Sequence, residues 1–127
     1  MHIILCSDNS NVREVVARHL GTRDDRLSLC DSGMELLAAV RALDADLVIL
    51  DLGMHGLGGL LLVSAVQELA PGLPILAVSA TADVDARPVV QRGIPHMVLG
   101  PDRDGDVEAL LAQLAARRDA FLGAGAR

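Results

Sequence analysis

Apolar residues in this chain fall into two alternating kinds of run. Short unbroken runs recur at His2-Ile3-Ile4-Leu5-Cys6, Asp46-Leu47-Val48-Ile49-Leu50-Asp51, Leu73 to Val78 and His96-Met97-Val98-Leu99. Runs this short, branched and bounded by turn residues predict strands buried on both faces of a parallel sheet. Arg26-Leu27-Ser28-Leu29-Cys30 instead alternates apolar and polar, which predicts a half-buried or edge strand. Between the strands the apolar positions shift to helical spacing. Val12, Val15, Val16, His19 and Leu20 mark a first helix that Gly21 ends. Met34, Leu36, Leu37, Val40 and Leu43 mark a second, opened by Ser32 and Glu35 at capping-box spacing. Gly58 to Leu69 is a third, apolar enough to predict deep burial. Asp83 to Arg92 is a weaker fourth, because Pro88 is tolerable only near a first turn. Asp106 can cap a last helix through Val107, Leu110, Leu111, Leu114 and Phe121.

Strand and helix therefore alternate five times. That order predicts an α/β fold: a five-stranded parallel sheet covered by helices on both faces, a flavodoxin-like (βα)5 three-layer sandwich. Right-handed crossovers leave few arrangements, and 2-1-3-4-5 is a common one. A single domain over residues 1–122 is expected, with 123–127 as a tail or the start of a linker.

Composition sharpens this picture. With 127 residues, 51% of them hydrophobic, the chain can build a sizeable core. One Phe and no Trp or Tyr mean that aliphatic side chains must fill it. All 11 basic residues are Arg, and the net charge is −6. An acidic domain is a poor binder of nucleic acid or of acidic membranes. Apolar runs fall far short of the ~18 residues a membrane span needs. The first strand begins at once, which leaves no room for a signal peptide and predicts a cytoplasmic protein. Cys6 and Cys30 then read as buried free thiols.

The candidate chemistry sits where the strands end. In the order 2-1-3-4-5 the first, third, fourth and fifth strands bring together Ser7-Asp8, Asp51, Ser79 and Gly100-Pro101. The crevice beyond the carboxyl ends of parallel strands is where ligands bind in such sheets. Paired carboxylates with open positions suit Mg2+, and a carboxylate beside that ion can attack a phosphoryl group. A flavodoxin or a phosphatase is a poorer fit. No Ser/Thr-rich phosphate loop follows the first strand, aromatics to sandwich a flavin are lacking, and Asp51-Leu52-Gly53 lacks the second acid of aspartate-based phosphatases.

These residues resemble the receiver domain of two-component response regulators over residues 2 to 118. The matching pieces are Ser7-Asp8 with Arg13 in the following helix, Asp51-Leu52-Gly53-Met54-His55-Gly56, Ser79-Ala80, Gly93 and Gly100-Pro101. The resemblance implies a signalling domain rather than an enzyme, with Asp51 as phosphoryl acceptor. It implies that Asp8, Asp51 and the Gly53 carbonyl hold Mg2+, and that Ser79 is the hydroxyl that contacts the phosphoryl group. It further implies a sensor histidine kinase or phosphotransfer protein as donor, and control of an output domain or partner, commonly in transcription. A homodimer through the face of the fourth helix, fifth strand and fifth helix is a further expectation.

The chain also departs from the family pattern. Ser7 replaces the first of two acids, His55 replaces a proline, Met97 replaces an aromatic, and Gly100 replaces the lysine before Pro101. The loss of an acid implies weak Mg2+ binding, which Ser7→Asp is expected to tighten. The loss of the aromatic implies that movement of the Ser79 hydroxyl is poorly reported to the helix 4–strand 5 face. An alternative function follows from these departures: a phosphorylation-independent docking or dimerisation module.

Overall fold

The computed structural model describes residues 2–20, 26–54 and 58–99. Within them lie β1 (His2–Cys6), α1 (Ser10–Leu20), β2 (Arg26–Cys30), α2 (Gly33–Ala42), β3 (Leu47–Asp51), α3 (Gly59–Leu69), β4 (Ile75–Ser79), α4 (Arg87–Val90) and β5 (His96–Val98). The expected last helix with Asp106 as its cap, Gly100-Pro101, His55 and the tail at 123–127 lie outside the described residues.

The five strands form one parallel sheet in the order β2-β1-β3-β4-β5, as the alternation predicts. Each strand sends successive side chains to opposite faces, so a doubly covered sheet has two cores. Ile4, Cys6, Val48, Leu50, Ile75 and Ala77 pack with Leu36, Val40, Leu62, Val63, Val66 and Val89 from α2, α3 and α4. On the other face Ile3, Leu5, Leu47, Ile49, Leu76 and Val78 meet Val12 and Val16 of α1, together with Leu99. Cys6 and Cys30 pair across β1 and β2 as buried free thiols. Burial pushes the Cys6 thiol up to about 12 and raises that of Cys30 as well.

Local chemistry sets the helix ends. Asn9 Oδ1 accepts the amides of Asn11 and Val12 and so starts α1. Ser32 Oγ accepts from the Glu35 amide, while Glu35 Oε2 reaches back to the Asp31 amide. This is a capping box displaced by one residue on its return arm. Asp46 lies just before β3 rather than in it; its carboxylate accepts the His2 amide at 2.7 Å and ties the start of β1.

Two helices differ from expectation. α3 buries only Leu62, Val63 and Val66, and it leaves Leu60, Leu61 and Leu69 exposed, so its apolar surface is wider than the stripe the sheet covers. α4 is a single turn of four residues instead of the expected Asp83 to Arg92. Pro88 sits in its first turn, and the preceding polar residues bond locally: Thr81 to Asp83, and the Arg87 amide to Asp85 Oδ1 at 3.1 Å. Gly93, at φ 82°, closes the turn in a conformation that other residues adopt only at a cost.

Candidate functional site

The carboxyl ends of β1, β3 and β4 frame an open cleft of about 500 Å³, lined by Asp8, Asn9, Asp51, Gly53, Ala80, Thr81, Asp83 and Val84. Asp51, the last residue of β3, forms its floor. It is 3% exposed, an unusual place for a carboxylate, and the surrounding residues account for it. Asp51 Oδ1 accepts the Gly53 amide at 2.8 Å, across the turn that follows the strand. Asp51 Oδ2 accepts the Ser7 hydroxyl at 2.6 Å. Both oxygens are thus held, and each keeps a lone pair for a ligand.

Ser7 is therefore more than the absence of an acid. It is fully buried, and its Oγ accepts the Asn9 amide at 3.1 Å while its proton goes to Asp51. Its own amide donates to the Cys30 carbonyl at 2.9 Å, which extends the β1–β2 ladder by one bond. Two side-chain bonds and one backbone bond fix the residue, and its hydroxyl orients the carboxylate. Asp8, the next residue, is exposed at the cleft rim.

Gly53 lies against the carboxylate. A Cβ there would stand 3.4 Å from Asp51 Oδ1 and 3.9 Å from Val84, at ordinary contact distance from both. Thr81 and Asp83 form the opposite wall and hydrogen-bond to each other. Sequence reading stopped at Ser79-Ala80 and gave neither of them a role. Their signal was the recurrence of polar side chains at Thr81, Asp83 and Asp85 just after β4.

The structure thus gathers Asp8, Asp51 and Gly53 on one cleft. Ser79 is close by in the chain but is not among the lining residues. It is fully buried, and its Oγ lies 2.7 Å from His96 Nε2 in a hydrogen bond between β4 and β5. The register explains the pairing. His96 stands opposite Ala77 and Val98 opposite Ser79, so residues 77, 79, 96 and 98 share one face. Met97 pairs with Val78 and packs toward the α1 side of the sheet. The side chain that touches the Ser79 hydroxyl is therefore His96, which sequence reading passed over in favour of Met97. Burial holds the His96 imidazole below its ordinary pKa, which favours the neutral ring.

Comparison with known proteins agrees with this geometry. A model of the response regulator receiver domain matches residues 3–111. The chain is 27% identical over 111 residues to the transcriptional regulatory protein GlrR of Escherichia coli, covering 86% of this chain and 25% of GlrR. It is 31% identical over 121 residues to the transcriptional activator protein PfeR of Pseudomonas aeruginosa, covering 94% of this chain and 37% of PfeR. The chain thus spans between a quarter and two fifths of the length of these relatives. Among solved structures, a CheY-like receiver domain protein of Methanospirillum hungatei superposes with a TM-score of 0.81 at 15% identity, over 96% of each chain.

Proposed function

The chain belongs to the response regulator receiver domain family, and from that premise we propose that it accepts a phosphoryl group on Asp51 from a sensor histidine kinase or phosphotransfer protein. The observation that carries this reading is the state of Asp51: a buried carboxylate at a strand end, fixed through both oxygens, opening on an acidic cleft. An Asp51 oxygen forms the new bond to phosphorus as the donor's bond to phosphorus breaks, which leaves an aspartyl phosphate. Ser7 and the Gly53 amide hold the carboxylate plane while this happens, so little orientational freedom is lost in the reaction.

The cleft fits Mg2+ by its donor chemistry. Asp8, Asp51 and the Gly53 carbonyl offer hard oxygen ligands, and the open volume leaves room for the waters this ion retains. When bound there, the ion would neutralise charge on the phosphoryl oxygens.

The relatives support a reading of the output. Receivers related to this one belong to transcriptional regulators, so we assign the domain to phosphorelay control of transcription in the cytoplasm, through an attached output domain or a partner. No helix among the described residues is long and apolar enough to cross a membrane. A second reading, a docking or dimerisation module that ignores phosphorylation, is favoured by the Ser79 hydroxyl being bonded to His96. A titration with Mg2+ and beryllofluoride followed by NMR decides between them. The receiver reading expects saturable shifts at Asp8, Asp51 and Gly53; shifts absent at every concentration favour the docking module.

A further inference from the structure

We infer that the groove between α2 and α3 is a self-association surface, on which a second copy of this chain docks about a twofold axis parallel to the helices. This is a different face from the α4–β5 surface suggested by resemblance. The groove shares no residue with the Asp51 cleft, so the inference holds whether or not Asp51 takes up a phosphoryl group.

Each of these two helices carries two apolar stripes, and the sheet covers only one of them. On α2, Leu36 and Val40 are buried, while Met34, Leu37 and Arg41 recur at helical spacing on a second face. On α3, Leu62, Val63 and Val66 are buried, while Ala65, Glu68 and Leu69 form the second face and Leu61 extends it by one turn. The two outer faces line a groove of about 650 Å³. Met34 is 70% exposed, Leu61 57% and Leu69 45%, so large apolar side chains of both helices stand in water. A contiguous apolar surface rimmed by polar residues marks an interaction site.

What the groove fits is set by its two charges. Arg41 lies in the last turn of α2 and Glu68 in the last turn of α3. Both are exposed, and among the described residues neither has an ion-pair partner. Parallel strands joined by single helices make α2 and α3 run in the same direction, opposite to the strands. A twofold axis parallel to the helices, in front of the groove, therefore sets α2 of one copy against α3 of the other and keeps the helix ends level. Arg41 then comes against the partner's Glu68, and Glu68 against the partner's Arg41, with the apolar walls meeting beside them. An axis across the helices would instead set C-terminal ends against N-terminal ends and leave these charges unmatched. The face is thus complementary to itself in one orientation, as an isologous contact requires. Because Arg41 and Glu68 cancel, the groove adds nothing to the repulsion between two chains of net charge −6. Both Asp51 clefts would open at the same end of such a dimer.

The test is analytical sedimentation of the 127-residue chain and its charge variants, with circular dichroism to confirm that each is folded. The wild type should show a concentration-dependent dimer. Arg41→Glu and Glu68→Arg should each weaken it at least about ten-fold, because each substitution sets two like-charged pairs face to face. Mixing these two variants in equal amounts should restore a heterodimer, since the introduced glutamate then meets the introduced arginine and the two native charges meet each other. The double variant, Arg41→Glu with Glu68→Arg, should dimerise with itself for the same reason. A wild type that stays monomeric up to millimolar concentration overturns the inference and leaves the groove to a different protein. A wild-type dimer that both single variants retain places the contact on another face and also overturns it. Folded single variants that remain monomeric when mixed overturn the pairing of Arg41 with the partner's Glu68, and the proposed axis with it.

Discussion

At the β1–β3 corner the hydroxyl of Ser7 is bonded into the site, 2.6 Å from an Asp51 oxygen; at the β4–β5 corner the hydroxyl of Ser79 is bonded out of it, 2.7 Å from His96. Both serines are fully buried, so neither hydroxyl can rely on water and each must find a partner within the protein. The partners differ in kind. Asp51 is a carboxylate that a phosphoryl group or a metal would engage, so the Ser7 bond strengthens the preparation of the site. His96 is a ring bordering a cavity, so the Ser79 bond ties β4 to β5 instead. One corner of the crevice turns its hydroxyl to the carboxylate and the other turns its hydroxyl to the neighbouring strand.

Substitutions at the first corner should have the largest effects. Ser7→Asp restores the family's acid, but it does so at a fully buried position beside an already buried carboxylate. Without metal, that charge is expected to lower stability by about 3 kcal/mol or more. Mg2+ should return much of the loss and bind more tightly than in the wild type, because the ion answers the added charge. Thermal melts of the variant with and without Mg2+ check this; a metal-free Ser7→Asp as stable as the wild type would show that residue 7 can turn out to solvent.

Next in size is the contrast between the two serines. Ser7→Ala removes a bond to a charged group and should cost about 2 kcal/mol, whereas Ser79→Ala removes a bond to a neutral ring and should cost about 1 kcal/mol. Urea denaturation of the two variants ranks them, and equal losses would remove the distinction between a charged and a neutral partner.

The smallest effect concerns pH. The folded state holds His96 below its ordinary pKa, so the unfolded chain takes up the proton more readily as pH falls. The stability tied to the neutral ring is complete above about pH 6.5, the value expected for an unperturbed histidine, and is lost as pH falls toward the depressed folded value. Between about pH 7.5 and about pH 5.5 the wild type should therefore lose more stability than His96→Gln, in which that titration is absent. Parallel melting curves for the two proteins would place the ring in solvent.

The two corners also differ in how legible they were. Sheet order, the buried strands and the meeting of Asp8, Asp51 and Gly53 could be read directly. The strands and the meeting of Asp8 with Asp51 follow from unbroken apolar runs and from acids placed at strand ends, while Gly53 came from the family resemblance. β5 offered no such handle. It is three residues long, every residue in it is half-buried, and so few positions cannot declare which face is inward. Resemblance pointed to Met97, while the register turns Met97 toward α1 and gives the Ser79 face to His96. α4 was overestimated because helical spacing was present but Pro88 and the local bonds of Thr81, Asp83 and Asp85 were given too little weight. The role of Ser7 was missed because substitution for an acid was counted as a loss, when a buried hydroxyl can serve a neighbouring carboxylate.

The central claim is that Asp51 is the residue that takes up the phosphoryl group. Incubation with acetyl phosphate and Mg2+, followed by intact-mass measurement, tests it most directly. The wild type should gain the mass of one phosphoryl group, and Asp51→Asn should gain none while keeping its fold. Labelling that persists in Asp51→Asn, or a folded wild type that is never labelled, would contradict the account.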